Sequence, residues 1–252
     1  MNLSSWIQTA LDFLFPAECA YCHHFAGDDR ILIFCKSCWE SIPRISQSVC
    51  PRCGKPYRST SVLRHTPDFL CGDCRVSPPF FDRVFSASPY DSVVKEAIHQ
   101  FKFHQKPGIG KPLAQLLMAR LPDNIDWTRG YIILPVPLHK TRQRQRGYNQ
   151  STILATHLAR RYHLKPMYNN LIRIRATKAQ WPIRKYHQRK QNVKNAFRLR
   201  FPERITGQHL IVIDDIFTTG ATVNECSRIL KEAGARSVLV FTLSRAGLAA
   251  GV

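Results

Sequence analysis

Eight of the nine cysteines fall into four C-x-x-C pairs near the start of the chain: Cys19/Cys22, Cys35/Cys38, Cys50/Cys53 and Cys71/Cys74. The gaps between pairs are 12, 11 and 17 residues. Two thiolates at this spacing can hold one tetrahedral ion, and a second pair completes its shell. Four pairs therefore predict two four-cysteine zinc sites. They are structural, because four thiolates leave no position for a substrate. Pairing the knuckles in sequence gives two zinc ribbons in tandem; an interleaved arrangement fits the spacing as well. The chain shows no basic leader ahead of an apolar stretch, so a reducing, cytoplasmic setting is expected, where disulfides do not persist. Gly54 follows a second ligand, where a tight knuckle favours positive φ, and Gly72 lies inside its knuckle. A core this small leaves much of the folding free energy to the ion. Cys226 stands apart, with Val223, Ile229 and Leu230 at helical spacing, and reads as a buried core thiol.

Charge is the second constraint. The formal net charge is +20. Residues 1–80 hold 8 basic and 7 acidic side chains, residues 81–200 hold 24 and 5, and residues 201–252 hold 5 and 5. A one-signed field confined to the middle attracts phosphates, diphosphates or nucleic acid. No apolar run approaches the roughly 20 residues of a membrane span. Trp6 to Phe15 comes nearest and is broken by Gln8, Thr9 and Asp12. Its stripe of Trp6, Ile7, Ala10, Leu11 and Leu14 is expected to pack on the zinc module.

Ser77-Pro78-Pro79 reads as a linker, which divides the chain into a helix and double zinc ribbon over 1–78 and an α/β domain over 79–252. In the second part periodic segments alternate. Strands are expected at 83–90, 131–136, 171–174, 209–213 and 237–243, and helices at 91–104, 111–121, 149–162 and 219–233. Residues 176–208 carry no clear period. Alternation of this kind predicts a mainly parallel sheet with helices on both faces. Gly108-Ile-Gly110-Lys111-Pro112 is no Walker A loop, because Pro stands where a hydroxyl must meet Mg²⁺. His99, His104, His139 and His187 are scattered and read as surface or packing residues.

The most informative stretch is 209–222, HLIVIDDIFTTGAT. An apolar strand runs into Asp214 and Asp215, and Thr218-Thr219-Gly220 then opens a helix. Ligands of open α/β sheets bind at the carboxyl ends of strands. A helix start offers N–H donors to a phosphate, and Thr218, Thr219 and Thr222 add hydroxyls. Gly220 lets backbone approach the anion. Paired carboxylates suit ribose hydroxyls or hydrated Mg²⁺. A second patch, 134–150, carries Lys140, Arg142, Arg144 and Arg146 after a strand end. As an extended loop it would aim its three arginines one way, as a bidentate grip on a diphosphate.

Residues 210–222 resemble the phosphoribosyl pyrophosphate (PRPP) loop of type I phosphoribosyltransferases. The resemblance implies Asp214 and Asp215 at the ribose hydroxyls, residues Thr218, Thr219, Gly220, Ala221 and Thr222 around the 5-phosphate, and Mg²⁺ arriving with PRPP. Thr218 stands where purine-salvage members carry an Asp, so the loop is more similar to that of amidophosphoribosyltransferases. The whole chain resembles the ComF family (GntX-like proteins) in its knuckles and in Ile98-His-Gln-Phe-Lys-Phe103. It does so also in R-x-R-x-R-G-Y-N-Q, Arg175-Ala-Thr-Lys-Ala-Gln180, Arg189 with Asn192, Ala196-Phe197 and Leu243-Ser-Arg245. That resemblance implies a type I phosphoribosyltransferase-like sheet behind a double zinc ribbon. It implies a bacterial, cytoplasmic protein of DNA uptake or utilisation that meets single-stranded DNA and DNA-uptake or DNA-processing proteins.

Three functions stay open at this point. A transferase would use Lys102, Arg142, Arg144 and Arg146 to stabilise departing diphosphate while an unidentified acceptor attacks. A DNA-handling protein would grip backbone with the basic middle and stack bases on Phe101, Phe103, Tyr148 and Trp181. A regulator would keep the PRPP pocket without turnover.

Overall fold

The computed structural model describes residues 17–45, 48–57, 68–177 and 191–247. The stripe from Trp6 to Leu14 and the motif residues Gln180, Trp181, His187 and Arg189 lie outside them.

The sheet is built from β1 (Arg83–Pro89), β2 (Ile132–Pro135), β3 (Lys165–Pro166), β6 (His209–Phe217) and β7 (Ser237–Arg245), in the order β1-β7-β6-β2-β3. All of its pairings are parallel. The intervening β4 (Leu171–Arg173) and β5 (Phe197–Leu199) form a separate antiparallel pair. Helices α1 (Ser92–Phe103), α2 (Gly110–Met118), α3 (Lys140–Arg146), α4 (Gln150–Tyr162) and α5 (Ala221–Glu232) complete the fold. The helix starts follow from local chemistry. Asp91 and Asn149 accept backbone N–H bonds from Ser92 and Ser151 as caps. Gly110 meets α4 so closely that a Cβ there would lie 2.5 Å from Ile153, which is a packing reason for a glycine in the sequence that mimics a phosphate loop.

Side-chain alternation along β6 sorts the core into two faces. Ile211 and Ile213 join Phe241, Leu243 and the apolar sides of α1, α2 and α4. Leu210 and Val212 join Val238, Val240, α5 and the β4–β5 pair. The cysteine sets divide in the same way. Cys19 and Cys35 belong to the first core, and Cys50, Cys53, Cys71 and Cys74 to the second, so the two ribbons straddle the sheet. Arg120 ties the first ribbon down by donating to the carbonyls of Ile42 (2.7 Å), Pro43 (2.6 Å) and Ala87 (3.0 Å). The second is tied by the Val84 N–H, which donates to Arg52 O at 2.9 Å.

Most expected elements are present, with four differences, the first being that β3, where no strand is expected, pairs with β2 at the edge of the sheet. β6 continues four residues past Ile213, because Asp214, Ile216 and Phe217 find ladder partners in Thr242, Ser244 and Arg245. The 134–150 patch is not extended: Lys140–Arg146 is helical, capped by His139, which accepts from the Thr141 N–H, and closed by Gly147 at φ 76°. A run of Lys, Arg and Gln has high helix propensity, and nothing in it is β-branched except Thr141. The β4–β5 pair was not expected as a unit, because β5 spans only Phe197–Leu199.

Candidate functional site

The eight paired cysteines gather in sequence order. Cys19, Cys22, Cys35 and Cys38 form one set and Cys50, Cys53, Cys71 and Cys74 the other, with the sulfurs of each set within 4.8 Å of one another. This removes the interleaved alternative. The two ribbons repeat one geometry. The His23 and Gly54 N–H groups donate to Cys19 O and Cys50 O, and those of Trp39 and Arg75 donate to Cys35 O and Cys71 O. Gly54 has φ 72°, as expected; its counterpart His23 adopts φ 62° without being glycine. The donor set fits zinc. Cys50 is pulled down to about 3, chiefly by the Cys53 thiol, which donates to it, while Cys53 itself is pushed up. Cys35 falls to about 6, with the Ser37 hydroxyl as the largest cause, and burial raises Cys38. Four sulfurs this close ionise together only around a cation.

Beside the second set, buried Arg245 at the end of β7 donates from Nη1 to Cys53 O at 2.5 Å. Its guanidinium lies 4.5 Å from the centre of the Phe217 ring. Burial lowers its pKa, and the sulfurs of Cys53, Cys71 and Cys50 oppose that. Phe217 is the last residue of β6, and its ring would meet a Cβ on Gly220 at 2.5 Å. Gly220 also holds φ 76° at the start of α5. The ring beneath the turn, as well as any anion above it, demands glycine.

The two aspartates stand where β6 loses its alternation. Ile213 and Ile216, three residues apart, pack against the same core, and Phe217 joins the other. Asp214 accepts from the Asp215 N–H at 2.9 Å and from Ser151 Oγ at 3.5 Å. Asp215 pairs with Lys102 Nζ at 2.8 Å, both side chains being about seven-eighths covered (15% and 13% exposed). Thr218 and Thr219 are half-exposed beside them, buried Gly220 and Ala221 follow, and Thr222 is half-exposed in the first turn of α5. Among the described residues the only groups of three or more potential metal ligands are the cysteine sets. Mg²⁺ at the aspartates would thus need oxygen ligands from a bound diphosphate.

Burial raises the Asp214 carboxyl to about 7, and the Asp215 charge adds to this. The folded state therefore holds a proton that the unfolded chain releases near pH 4. Stability falls as pH rises from about 4 to 7 and levels off above. Asp214→Asn is expected to be roughly 1–3 kcal/mol more stable than the wild type at pH 8 and equal to it below pH 4. Urea unfolding at the two pH values checks this; a constant difference would contradict it.

The helical turn separates the three arginines. Arg142 and Arg146, four residues apart, share a side of α3, whereas Arg144 is exposed. Arg146 donates to Gln150 Oε1 at 3.2 Å and lies 5.2 Å from the Phe103 ring centre, next to Lys102. Arg142 instead donates to Thr177 O at 2.9 Å. Of the proposed stacking residues, Phe101 is fully buried and unavailable, Phe103 is 60% exposed, and Tyr148 is half-buried, its hydroxyl donating to Phe101 O at 2.6 Å. Arg175 from the Arg175–Gln180 motif donates to Asn192 O and Lys194 O, holding the chain on either side of residues 178–190 together. Cys226 is a fully buried core thiol, as expected. Sequence reasoning missed Ser151, Arg173 and the role of Arg245. Ser151 could have been found as the second residue after the Asn149 cap.

A double zinc ribbon domain model matches residues 10–76. DNA utilization protein YhgH of Salmonella typhimurium is 36% identical over 222 residues, covering 84% of this chain and 89% of that protein. Its Escherichia coli counterpart is 34% identical over 213 residues, covering 80% and 86%. Competence protein F of Haemophilus influenzae is 30% identical, covering 84% and 96%. Among solved structures, the chain is similar to glutamine PRPP amidotransferase from B. subtilis, with 18% identity and a TM-score of 0.33 over 56% of this chain and 26% of that one. It is also similar to a hypoxanthine phosphoribosyltransferase from Staphylococcus aureus, with 12% identity and a TM-score of 0.30 over 56% and 64%. The chain thus spans about a quarter of the amidotransferase and just under two thirds of the second protein. No helix among the described residues is long and apolar enough to cross a membrane.

Proposed function

The chain belongs to the ComF family of DNA utilization and competence proteins, and from this premise we propose that it serves DNA uptake or utilisation through a PRPP site on a zinc-stabilised α/β scaffold. The observation that carries the sugar-phosphate part is the end of β6, where two carboxylates precede a threonine-glycine turn that opens α5. Asp214 and Asp215 bind the ribose hydroxyls. The turn and the first N–H groups of α5 bind the 5-phosphate. Lys102, paired with Asp215, and Arg146, over the Phe103 ring, are the cations assigned to the diphosphate; Mg²⁺ with PRPP would supply further neutralising charge. Lys102 must first leave Asp215, so the ion pair holds the carboxylate in place until the sugar arrives. Single-stranded DNA meets the same basic middle, with exposed Phe103 available for stacking.

A calorimetric titration with PRPP and Mg²⁺ tests the reading. Wild type binds, and Asp214→Asn/Asp215→Asn weakens binding at least a hundredfold, because both ribose contacts go. Equal affinity in the double variant would refute the assignment. For DNA, affinity for a single-stranded oligonucleotide falls steeply as salt rises; a flat response would refute backbone contact.

A further inference from the structure

The antiparallel β4–β5 pair has an outer edge on β5, and its register fixes which groups stand there. The Ile174 N–H donates to Ala196 O and the Arg200 N–H to Asn170 O, each at 2.9 Å, and Ile172 lies opposite Arg198. This phase bonds the even-numbered residues of the two strands to each other and turns the N–H and C=O groups of Phe197 and Leu199 away from β4. Among the described residues these groups meet no backbone partner, and β5 has no neighbouring strand but β4. An open groove of about 420 Å³ runs along this edge, between Phe197 and Leu199 on one side and Ile229 and Ala233, at the end of α5, on the other.

Alternation along a strand sets the chemistry of what can lie there. Phe197 and Leu199 send their side chains into the core that α5 covers, so every second residue of an added strand would sit over half-buried Ile229 and Ala233 and would be apolar. Arg198 faces the other way, and Arg200 follows it in phase. Both are exposed and take part in no ion pair among the described residues. The remaining residues of an added strand would meet these arginines across the strands, where opposite charges stabilise and like charges do not. The carboxylate that lines the groove, Glu232, is already held by Arg228 at 2.7 Å. A second copy of this chain is a poor occupant, because two β5 edges laid antiparallel about their middle would set Arg198 against Arg198.

We propose that the outer edge of β5, with the groove beside α5, takes an extended segment of a partner protein in which apolar residues alternate with Asp or Glu. Main-chain bonds to Phe197 and Leu199 supply affinity, and the two faces of the added strand supply specificity. The site lies at the opposite end of α5 from the turn assigned to the sugar phosphate and does not depend on the PRPP reading.

The test uses the full-length, zinc-loaded protein and a labelled synthetic peptide alternating Val with Glu, followed by fluorescence polarisation. The peptide binds saturably. N-methylation of its alternate amides weakens binding at least tenfold in one phase and less than twofold in the other, as for a chain bonded along one edge. Arg198→Glu and Ile229→Asp each weaken binding at least tenfold; Arg198 is exposed, so its variant stays informative if Ile229→Asp folds poorly. Arg160→Glu, which reverses an exposed charge on α4, changes affinity less than twofold. A peptide with Lys in place of Glu binds at least tenfold more weakly. Absence of saturable binding, equal losses in the two N-methylated phases, unchanged affinity in Arg198→Glu, or equally tight binding of the Lys peptide would each overturn the proposal. A wild-type dimer in sedimentation that Ile229→Asp converts to monomer would give the groove to a second copy and overturn it as well.

Discussion

Cys53→Ser is expected to release one of two zinc ions and to weaken ribose 5-phosphate binding at the loop more than tenfold. The first effect follows from the closed four-sulfur set, since structural zinc supplies folding free energy of about 10–16 kcal/mol in small modules and loss of a ligand forfeits much of it. The second follows from contacts that leave the set. Arg245 is anchored on Cys53 O and lies over the Phe217 ring, and that ring supports the Gly220 turn. The carbonyl stays in the variant, but once zinc leaves and the knuckle no longer holds it in place, a buried guanidinium loses its aligned acceptor and the ring loses its neighbour. Cys22→Ser breaks the set on the opposite face, which has no such connection to the turn among the described residues, and loop affinity there changes no more than threefold. Elemental analysis gives the zinc content and calorimetry the affinity. Equal loss of affinity in both variants would show that the effect is general unfolding.

Gly220→Val is expected to abolish ribose 5-phosphate binding and to cost about 3 kcal/mol or more of stability. A β-branched residue at φ 76° is strained, and its Cβ would meet the Phe217 ring at 2.5 Å. The ring cannot retreat freely, because Phe81 packs edge-on 6.1 Å away and Arg245 lies against it. Gly130 is the control. It has φ 66° but open space around it, so Gly130→Ala carries backbone strain alone, about 1 kcal/mol, and leaves binding intact. Urea midpoints with a parallel titration check both. Retention of binding in Gly220→Val would mean that the phosphate does not depend on this turn.

The sheet was legible because its strands are short apolar runs between turn residues, as at Tyr131–Val136, and because Asp91 and Asn149 announce their helices. The metal sets were legible from spacing, although their pairing required the fold. What could not be read had physical causes. Arg142, Arg144 and Arg146 alternate in a way that suits a strand, but their helix propensity and the His139 and Gly147 ends prevail. Phe101 and Phe103 read alike in the motif, and only helix phase sends one into the core and the other to the surface. Arg173 carries no local signal, since only the fold brings it and Arg142, from another element, to the same Thr177.

The ribbons' position on opposite sides of the sheet bears on how the chain can be cut. Ser77-Pro78-Pro79 invites separation into a metal-binding head and an independent α/β body. A body starting at residue 79 would bare oily surface above and below at once, lacking Phe34 and Ile42 on one side and the second tetrad on the other. Such a fragment would aggregate, and the head could not swing aside as a lid without prising the body open.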